Sequence, residues 1–230
     1  MKYLNIPTIN RALHRITEGN TNEHVTGTVT SGLLQSYFPI SKFITTSEQI
    51  QIISKKKPDF TVEKLEGDNL IPHVYVEIKS LINSNFNNIM DQLEATILNA
   101  VYTQGGSFSV FVIAMKGAKI AFFEYHTFAG LLVDYGINNY KGFIPLGYKF
   151  PVREFLEVNS DANPGLWDFL MHATKVPVPN NIEQLKAIGV ESTSNIEHPH
   201  IWDLKNPVHS DYIHSFFEHV AKNKAGKDIV

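Results

Sequence analysis

Cysteine is absent from the 230 residues of the chain. The protein therefore has no disulfide framework, no thiolate ligand for a metal and no cysteine nucleophile. No apolar run reaches the roughly 20 residues that a membrane-spanning helix needs. Residues 1–20 also lack the apolar segment and the small-residue cleavage site of a secretory signal. These absences predict a soluble, intracellular protein, cytoplasmic or nuclear, that has no contact with a membrane.

An excess of positive charge is missing as well, because the formal net charge is −3. Proteins that coat nucleic acid without specificity depend on many lysines and arginines that neutralise phosphates, so this class is disfavoured. An enzyme that acts on nucleic acid is still compatible with the charge, since an acidic metal site offsets basic contacts. With 43% hydrophobic residues, the chain can bury a substantial core.

The hydrophobic pattern predicts an α/β core domain over residues 1–150, with apolar residues alternating in strands and recurring every three or four residues in helices. The predicted elements are helices within 8–38, a strand or hairpin at 42–54, strands at 58–65 and 72–80, a helix capped by Asn83 and Ser84 that runs to about Tyr102, and the strands "SFSVFVIAM" and "KIAFFEYH", which a tight Lys-Gly turn joins.

Residues 151–230 differ from the core domain in hydrophobic pattern and composition. The segments "NPGLWDFLMHAT" and "SDYIHSFFEHVAKN" have the pattern of amphipathic helices, and a stretch rich in Pro, Asn and Ser joins them over 176–209. This pattern predicts a helical C-terminal extension that packs on the core domain.

Histidine is concentrated in the same part of the chain, which holds six of the ten histidines. Such a concentration suggests a zinc site, but no spacing among these histidines matches a structural zinc pattern. Surface positions are therefore favoured for these side chains. They are His172, His198, His200, His209, His214 and His219.

The strands at 58–65 and 72–80 are separated by the turn-forming sequence "EGDN". An antiparallel hairpin centred on Asp68 places residues opposite each other when their numbers sum to 136. Asp59 then lies opposite Glu77, while Phe60 meets Val76 on the apolar face. Cross-strand Cβ atoms are about 4.5–5.5 Å apart, and two carboxylates at that distance repel each other unless a cation lies between them.

The polar face of this hairpin also carries an ammonium group, because alternation places Lys79 on the side of Glu77. A carboxylate pair suits a hard cation such as Mg²⁺ or Mn²⁺, and an ammonium beside it stabilises charge that develops on phosphorus. The set predicts phosphodiester hydrolysis. Pro72 cannot donate to the ladder, so the pairing is expected to loosen near the turn, and a register shifted by two residues stays open.

The pair Pro58-Asp59, followed by Glu77-Ile78-Lys79, resembles the motif of the PD-(D/E)XK nuclease superfamily, which includes restriction endonucleases, recombination exonucleases and resolvases. The core of that family is a helix, three strands, a helix and a strand, with the motif on the second and third strands. The order predicted over residues 8–115 is similar. The resemblance implies a restriction-endonuclease-like core, in which helices flank a mixed sheet.

The resemblance also implies a role for each residue of the motif. Asp59 and Glu77 would bind Mg²⁺ or Mn²⁺, and the backbone carbonyl of Ile78 would be a further ligand. Lys79 would be the catalytic lysine, which positions the attacking water and offsets charge.

Further residues correspond less closely to positions of the family. Many members place a glutamate on the first helix, where Glu23 is the candidate ligand and Glu18 the second choice. Some place a glutamine on the helix after the motif, as Gln92 does, and that side chain would approach the nucleic acid. Three lysines before the motif either hold the nucleic-acid backbone or protect a strand edge from aggregation. They are Lys55, Lys56 and Lys57.

The function that the resemblance implies is divalent-metal-dependent cleavage of phosphodiester bonds in DNA, with RNA second. Many such nucleases act as dimers, so a homodimer is one expectation. Three alternatives stay open: a member without catalysis that binds nucleic acid or a protein, a surface hairpin with solvated Glu77 and Lys79, and an unrelated interaction protein that works through its histidine-rich tail.

Overall fold

The computed structural model describes residues 2–17, 23–47, 58–81, 85–104, 109–126, 142–147, 182–193 and 196–225. Within these ranges the chain forms a mixed sheet of eight strands that helices flank. The predicted α/β class with a mixed sheet is therefore confirmed.

The helices are a short 3₁₀ turn at Tyr3–Asn5 and then α1 (Pro7–His14), α2 (Glu23–Tyr37), α3 (Phe86–Gln104), α4 (Ile182–Ala187) and α5 (Ser210–Lys222). Two helices within 8–38 are as predicted. The predicted cap at Asn83 and Ser84 lies outside the described residues, and Asn85 caps α3 by accepting a hydrogen bond from the backbone N–H of Asn88 at 2.8 Å. None of the helices in these ranges is long and apolar enough to cross a membrane.

The strands are β1 (Phe43–Ser47), β2 (Phe60–Glu66), β3 (Asn69–Lys79), β4 (Ser109–Lys116), β5 (Lys119–His126), β6 (Phe143–Pro145), β7 (Glu191–Thr193) and β8 (Ile196–Asp203). Their order across the sheet is β1-β2-β3-β4-β5-β8-β7, and β6 also pairs with β5. The pair β3–β4 is parallel, and α3 is the crossover that a parallel pair requires.

Apolar side chains cover both faces of the central strands. On β3, Val74 and Val76 belong to the core that α1, α2 and α5 cover, while Tyr75 belongs to the core beneath α3. A strand buried on both faces has a nearly continuous apolar sequence, as in "VYVEI". The polar residues at the end of this strand therefore lie at the edge of a rigid, closely packed element.

The C-terminal region differs from the purely helical extension that the sequence predicts. Helix α5 is present as predicted, but residues 191–193 and 196–203 are strands, and Trp202 of β8 pairs with Ile120 of β5. The prediction was wrong for this segment because Pro199 and four polar residues obscure the strand pattern, whereas burial of Ile201 and Trp202 and pairing with β5 stabilise it. The boundary at 150 and the segment "NPGLWDFLMHAT" lie outside the described residues.

Two of the histidines also differ from the prediction of surface positions, since His200 and His209 are buried. The ring of His209 accepts a hydrogen bond from the backbone N–H of Asp203 at 2.9 Å, and its other nitrogen donates to the carbonyl of Ile188 at 2.7 Å. This histidine joins α4 to β8, so its role in the fold is structural. His172 lies outside the described residues.

Candidate functional site

The hairpin of β2 and β3 has the predicted register next to the motif. Phe60 pairs with Val76 and Val62 with Val74, so their numbers sum to 136. Beyond Val62 the register shifts by one residue, which places Pro72 opposite Glu63. The irregularity thus occurs where a proline weakens the ladder, and the alternative register shifted by two residues is wrong.

This register brings the three residues of the motif together. The Oδ2 atom of Asp59 accepts a hydrogen bond of 2.7 Å from the backbone N–H of Ile78. The Nζ atom of Lys79 lies 2.5 Å from Oε1 of Glu77 and 3.9 Å from Oδ2 of Asp59. The alternative of a surface hairpin with solvated side chains is wrong for Glu77, because that side chain is buried.

Pro58 has a physical role in this arrangement. The two backbone groups of a strand residue point to the same neighbouring strand, so the carbonyl of Ile78 faces β2, as its N–H does. Continuing the register places position 58 opposite Ile78, and proline has no N–H to donate. Pro58 therefore cannot donate to the Ile78 carbonyl, and the Ile78 N–H donates to the side chain of Asp59.

The charges of the three residues influence one another strongly. Burial raises the pKa of Glu77 to about 7; the hydrogen bond from Lys79 acts in the opposite direction, and the negative charge of Asp59 adds to the rise. Burial lowers the pKa of Lys79, but the hydrogen bond to Glu77 and the charges of Glu77, Asp59 and Glu23 outweigh it and raise that pKa above its ordinary value. Lys79 therefore stays protonated at neutral pH.

The raised pKa of Glu77 predicts how stability depends on pH in the metal-free protein. Between pH 4.5 and about 7, folded Glu77 holds its proton while unfolded Glu77 has lost it, so the free energy of unfolding falls as pH rises through this window. Above pH 7, the ionisation of Glu77 lowers the free energy of unfolding by about 3 kcal/mol in all. In EDTA, Glu77→Gln is therefore expected to be more stable than the wild type at pH 8, with a smaller advantage at pH 5.

Urea unfolding at both pH values measures this difference. Glu183→Gln is the control, because Glu183 is exposed on α4 and should follow the wild type at each pH. A stability difference between Glu77→Gln and the wild type that is the same at pH 5 and pH 8 would contradict the prediction.

Glu23 lies near the site but apart from the acid pair. It is the first residue of α2, and it borders an open groove of about 780 Å³ that Asp59 and Ile78 also line. The groove continues along α2 past the polar side chains of Ser31 and Gln35. The role of Glu23 as a ligand stays a prediction, and its alternative Glu18 lies outside the described residues.

The roles of the residues predicted to contact nucleic acid stay predictions. Gln92 is exposed in the first half of α3, and its role stays a prediction. Lys55, Lys56 and Lys57 lie outside the described residues. Sequence reasoning missed one basic residue, Lys116, which is paired in register with Lys79. The parallel alignment of "VFVIAMK" with "VYVEIK" is the signal that could have found it.

The donor set of the acid pair restricts which metal it could hold. Among the residues that the structure describes, no three or more His, Cys, Asp or Glu side chains are grouped so that they could hold a metal ion. The available donors are two carboxylates, with the carbonyl of Ile78 on the same edge. Mg²⁺ commonly binds through one or two carboxylates and keeps several waters, and Mn²⁺ prefers similar ligands, so the set fits either ion.

Comparisons with known proteins give little further guidance. No family model matches the chain, and no curated protein matches it. A solved structure titled "cryoEM structure DrdV-DNA complex" is similar, with 16% sequence identity and a TM-score of 0.36 over 56% of this chain and 91% of that chain. A similarity of this size carries no argument about fold or function.

Proposed function

We propose that the protein is a divalent-metal-dependent nuclease with a restriction-endonuclease-like core, and that it hydrolyses phosphodiester bonds in DNA. One observation carries the proposal. The ammonium of Lys79 lies 2.5 Å from the carboxylate of Glu77 on β3 and 3.9 Å from that of Asp59, the residue before β2.

The acid pair suits a cation for a physical reason. Glu77 is only 4% exposed, and a buried carboxylate next to another one is unfavourable unless positive charge compensates both. The two carboxylates next to Lys79 are hard oxygen donors of the kind that Mg²⁺ and Mn²⁺ prefer, so the set suits a divalent cation. When bound, Mg²⁺ or Mn²⁺ supplies Lewis-acid activation of the phosphate and of the attacking water.

The protein groups themselves orient the reaction. The N–H of Ile78 holds the carboxylate of Asp59 in place before substrate arrives, so little reorganisation is needed. The ammonium of Lys79, which stays protonated, stabilises negative charge that develops on the phosphoryl oxygens and can orient the attacking water. Phosphodiester hydrolysis needs this combination of positioning and charge compensation. The motif resembles that of restriction endonucleases, so DNA is expected before RNA.

One observation favours a second candidate, a member of the same fold that binds nucleic acid or a protein without cleaving it. Lys79 already forms an ion pair with Glu77, so the buried carboxylate is compensated without a metal. This candidate predicts binding without metal-dependent cleavage.

Incubation with single- and double-stranded DNA and RNA, in Mn²⁺, Mg²⁺ or EDTA, separates the two candidates. The nuclease is expected to cleave at least one DNA substrate in Mn²⁺ or Mg²⁺ and none in EDTA. Cleavage that persists in EDTA contradicts the metal-dependent mechanism. Binding with no cleavage under any condition supports the second candidate.

Metal binding itself provides an independent prediction. Glu77→Ala is expected to weaken Mn²⁺ binding by more than about 100-fold, because it removes one of two side-chain ligands, whereas loss of an outer-shell partner alone costs roughly 10- to 100-fold. Titration calorimetry or the electron paramagnetic resonance signal of free Mn²⁺ measures the affinity. Glu183→Ala serves as the control, because the side chain of Glu183 is exposed on α4. Equal Mn²⁺ affinity in the wild type and Glu77→Ala would place any bound metal elsewhere.

A further inference from the structure

A second lysine lies beside Lys79 on the neighbouring strand. The parallel register of β3 and β4 pairs Lys79 with Lys116 and Glu77 with Ala114. Adjacent strands are about 4.8 Å apart, and side chains in register project from the same face of the sheet. Lys116 therefore projects from the same face of the sheet as Glu77 and Lys79, at the same end of these two central strands.

The turn after β4 holds the two lysines in a fixed relation. The backbone N–H of Gly117 donates a hydrogen bond of 3.1 Å to the carbonyl of Lys79. Gly117 has a φ of 56°, and a Cβ at this position would lie 3.0 Å from the side chain of Leu81. The positive φ favours glycine here, and a Cβ would in addition crowd the side chain of Leu81. The hydrogen bond fixes the backbone of Lys116 relative to that of Lys79.

The neighbouring lysines are already paired with carboxylates, whereas Lys116 can bind an anion. Lys119, at the other end of the turn, pairs with Glu191 at 2.7 Å and with Asp203 at 3.3 Å. Lys79 pairs with Glu77. In the described ranges of the chain, the ion pairs at this turn involve Lys79 and Lys119, and Lys116 has none with an acidic side chain. Like charges directly opposite each other on adjacent strands are destabilising, so two neighbouring lysines favour an anion between or above them.

We propose that Lys116 binds a phosphate of the nucleic-acid substrate adjacent to the phosphate that Lys79 faces. This inference rests on the proposed function, because it takes the nucleic-acid backbone to be the anion. An ammonium group offers three hydrogen-bond donors and a positive charge, which position a phosphate without reading sequence. Lys116 is thus a substrate-binding residue that sets the register of the backbone, while Lys79 acts on the reacting group.

The salt dependence of binding tests this contact without requiring cleavage. Binding of a fluorescent 20-nucleotide DNA, single- or double-stranded, is measured in EDTA across a range of salt concentrations. Lys116→Gln is expected to weaken binding several-fold at low salt and to lower the slope of log affinity against log salt by about 0.7 to 0.9, the value for one phosphate contact. Lys116→Arg keeps the charge and should keep the slope.

Lys42→Gln is the matched control, because Lys42 is exposed just before β1, an outer strand of the sheet, whereas Lys116 is on the central strand β4. It should leave the slope unchanged. In Mn²⁺, Lys116→Gln is expected to raise KM several-fold and to change kcat less than about threefold, since uniform binding is lost. A purely structural role of Lys116 would change the unfolding midpoint and leave the salt slope alone.

Each outcome decides between the two proposals. An unchanged salt slope in Lys116→Gln overturns the phosphate contact, whether or not the wild type cleaves DNA. Failure of the wild type to bind any DNA overturns the contact and the nuclease together. A lower slope in Lys116→Gln, with no cleavage by the wild type in Mn²⁺, supports the contact and contradicts only the nuclease.

Discussion

Lys79→Ala is expected to lower the rate of Mn²⁺-dependent DNA cleavage by about 10²- to 10³-fold, the effect of removing one preorganised group that stabilises transition-state charge. The ammonium lies within 4 Å of both carboxylates, where the reacting phosphate would have to bind. The loss should appear mainly in kcat, because the charge matters most when the phosphoryl oxygens become more negative.

Two further variants show whether the effect comes from chemistry or from folding. Lys79→Arg keeps the positive charge but has a planar, bulkier head group, so it should recover only part of the rate. Lys42→Ala, on an exposed turn, should cleave like the wild type. If Lys79→Ala cleaves within about threefold of the wild type, Lys79 only neutralises Glu77, and the proposed mechanism fails.

The candidate site was predictable because its parts are close in the sequence. The turn at Gly67, whose φ is 62°, needs a glycine, and it pairs Glu66 with Asn69. A one-residue shift between Val62 and Glu63 then gives the register that pairs Phe60 with Val76 and brings Asp59 to the end of β3. The alternation of apolar residues next to the motif predicted this register, because a slip there would move the apolar side chains to the other face. The shift near Pro72 occurs where the missing N–H of proline weakens pairing.

Features that depend on distant segments could not be predicted in the same way. The pairing of Lys79 with Lys116 results from a parallel alignment across α3, and no turn determines that register. The position of β8 depends on pairing with β5, which lies far earlier in the chain, and Trp202 also packs against Phe216 of α5. Local patterns describe each of these segments, but tertiary packing decides where they lie.

Phe217→Ala is expected to lower the free energy of unfolding by about 3 to 5 kcal/mol, the range for removing a buried aromatic side chain. Phe217 is only 1% exposed. Its ring stacks on Tyr37 of α2 at 4.4 Å between centroids, and it meets the edge of Phe122 of β5 at 4.9 Å. Urea unfolding in EDTA measures the change, and Phe217→Leu, which keeps most of the volume, should lose less than about 2 kcal/mol.

This measurement shows whether the core domain can fold without the C-terminal region, as it could if that region were only an extension. Helix α5 is also tied to β3, because Nε2 of His73 donates a hydrogen bond of 2.7 Å to the carbonyl of Val220. The helix thus covers the apolar face of the strand that carries Glu77 and Lys79. A chain that ends before Ser210 should therefore lose its cooperative unfolding transition, and with it the alignment of the acid pair. A loss below about 1 kcal/mol in Phe217→Ala would instead make α5 peripheral, and the core could then bind metal without it.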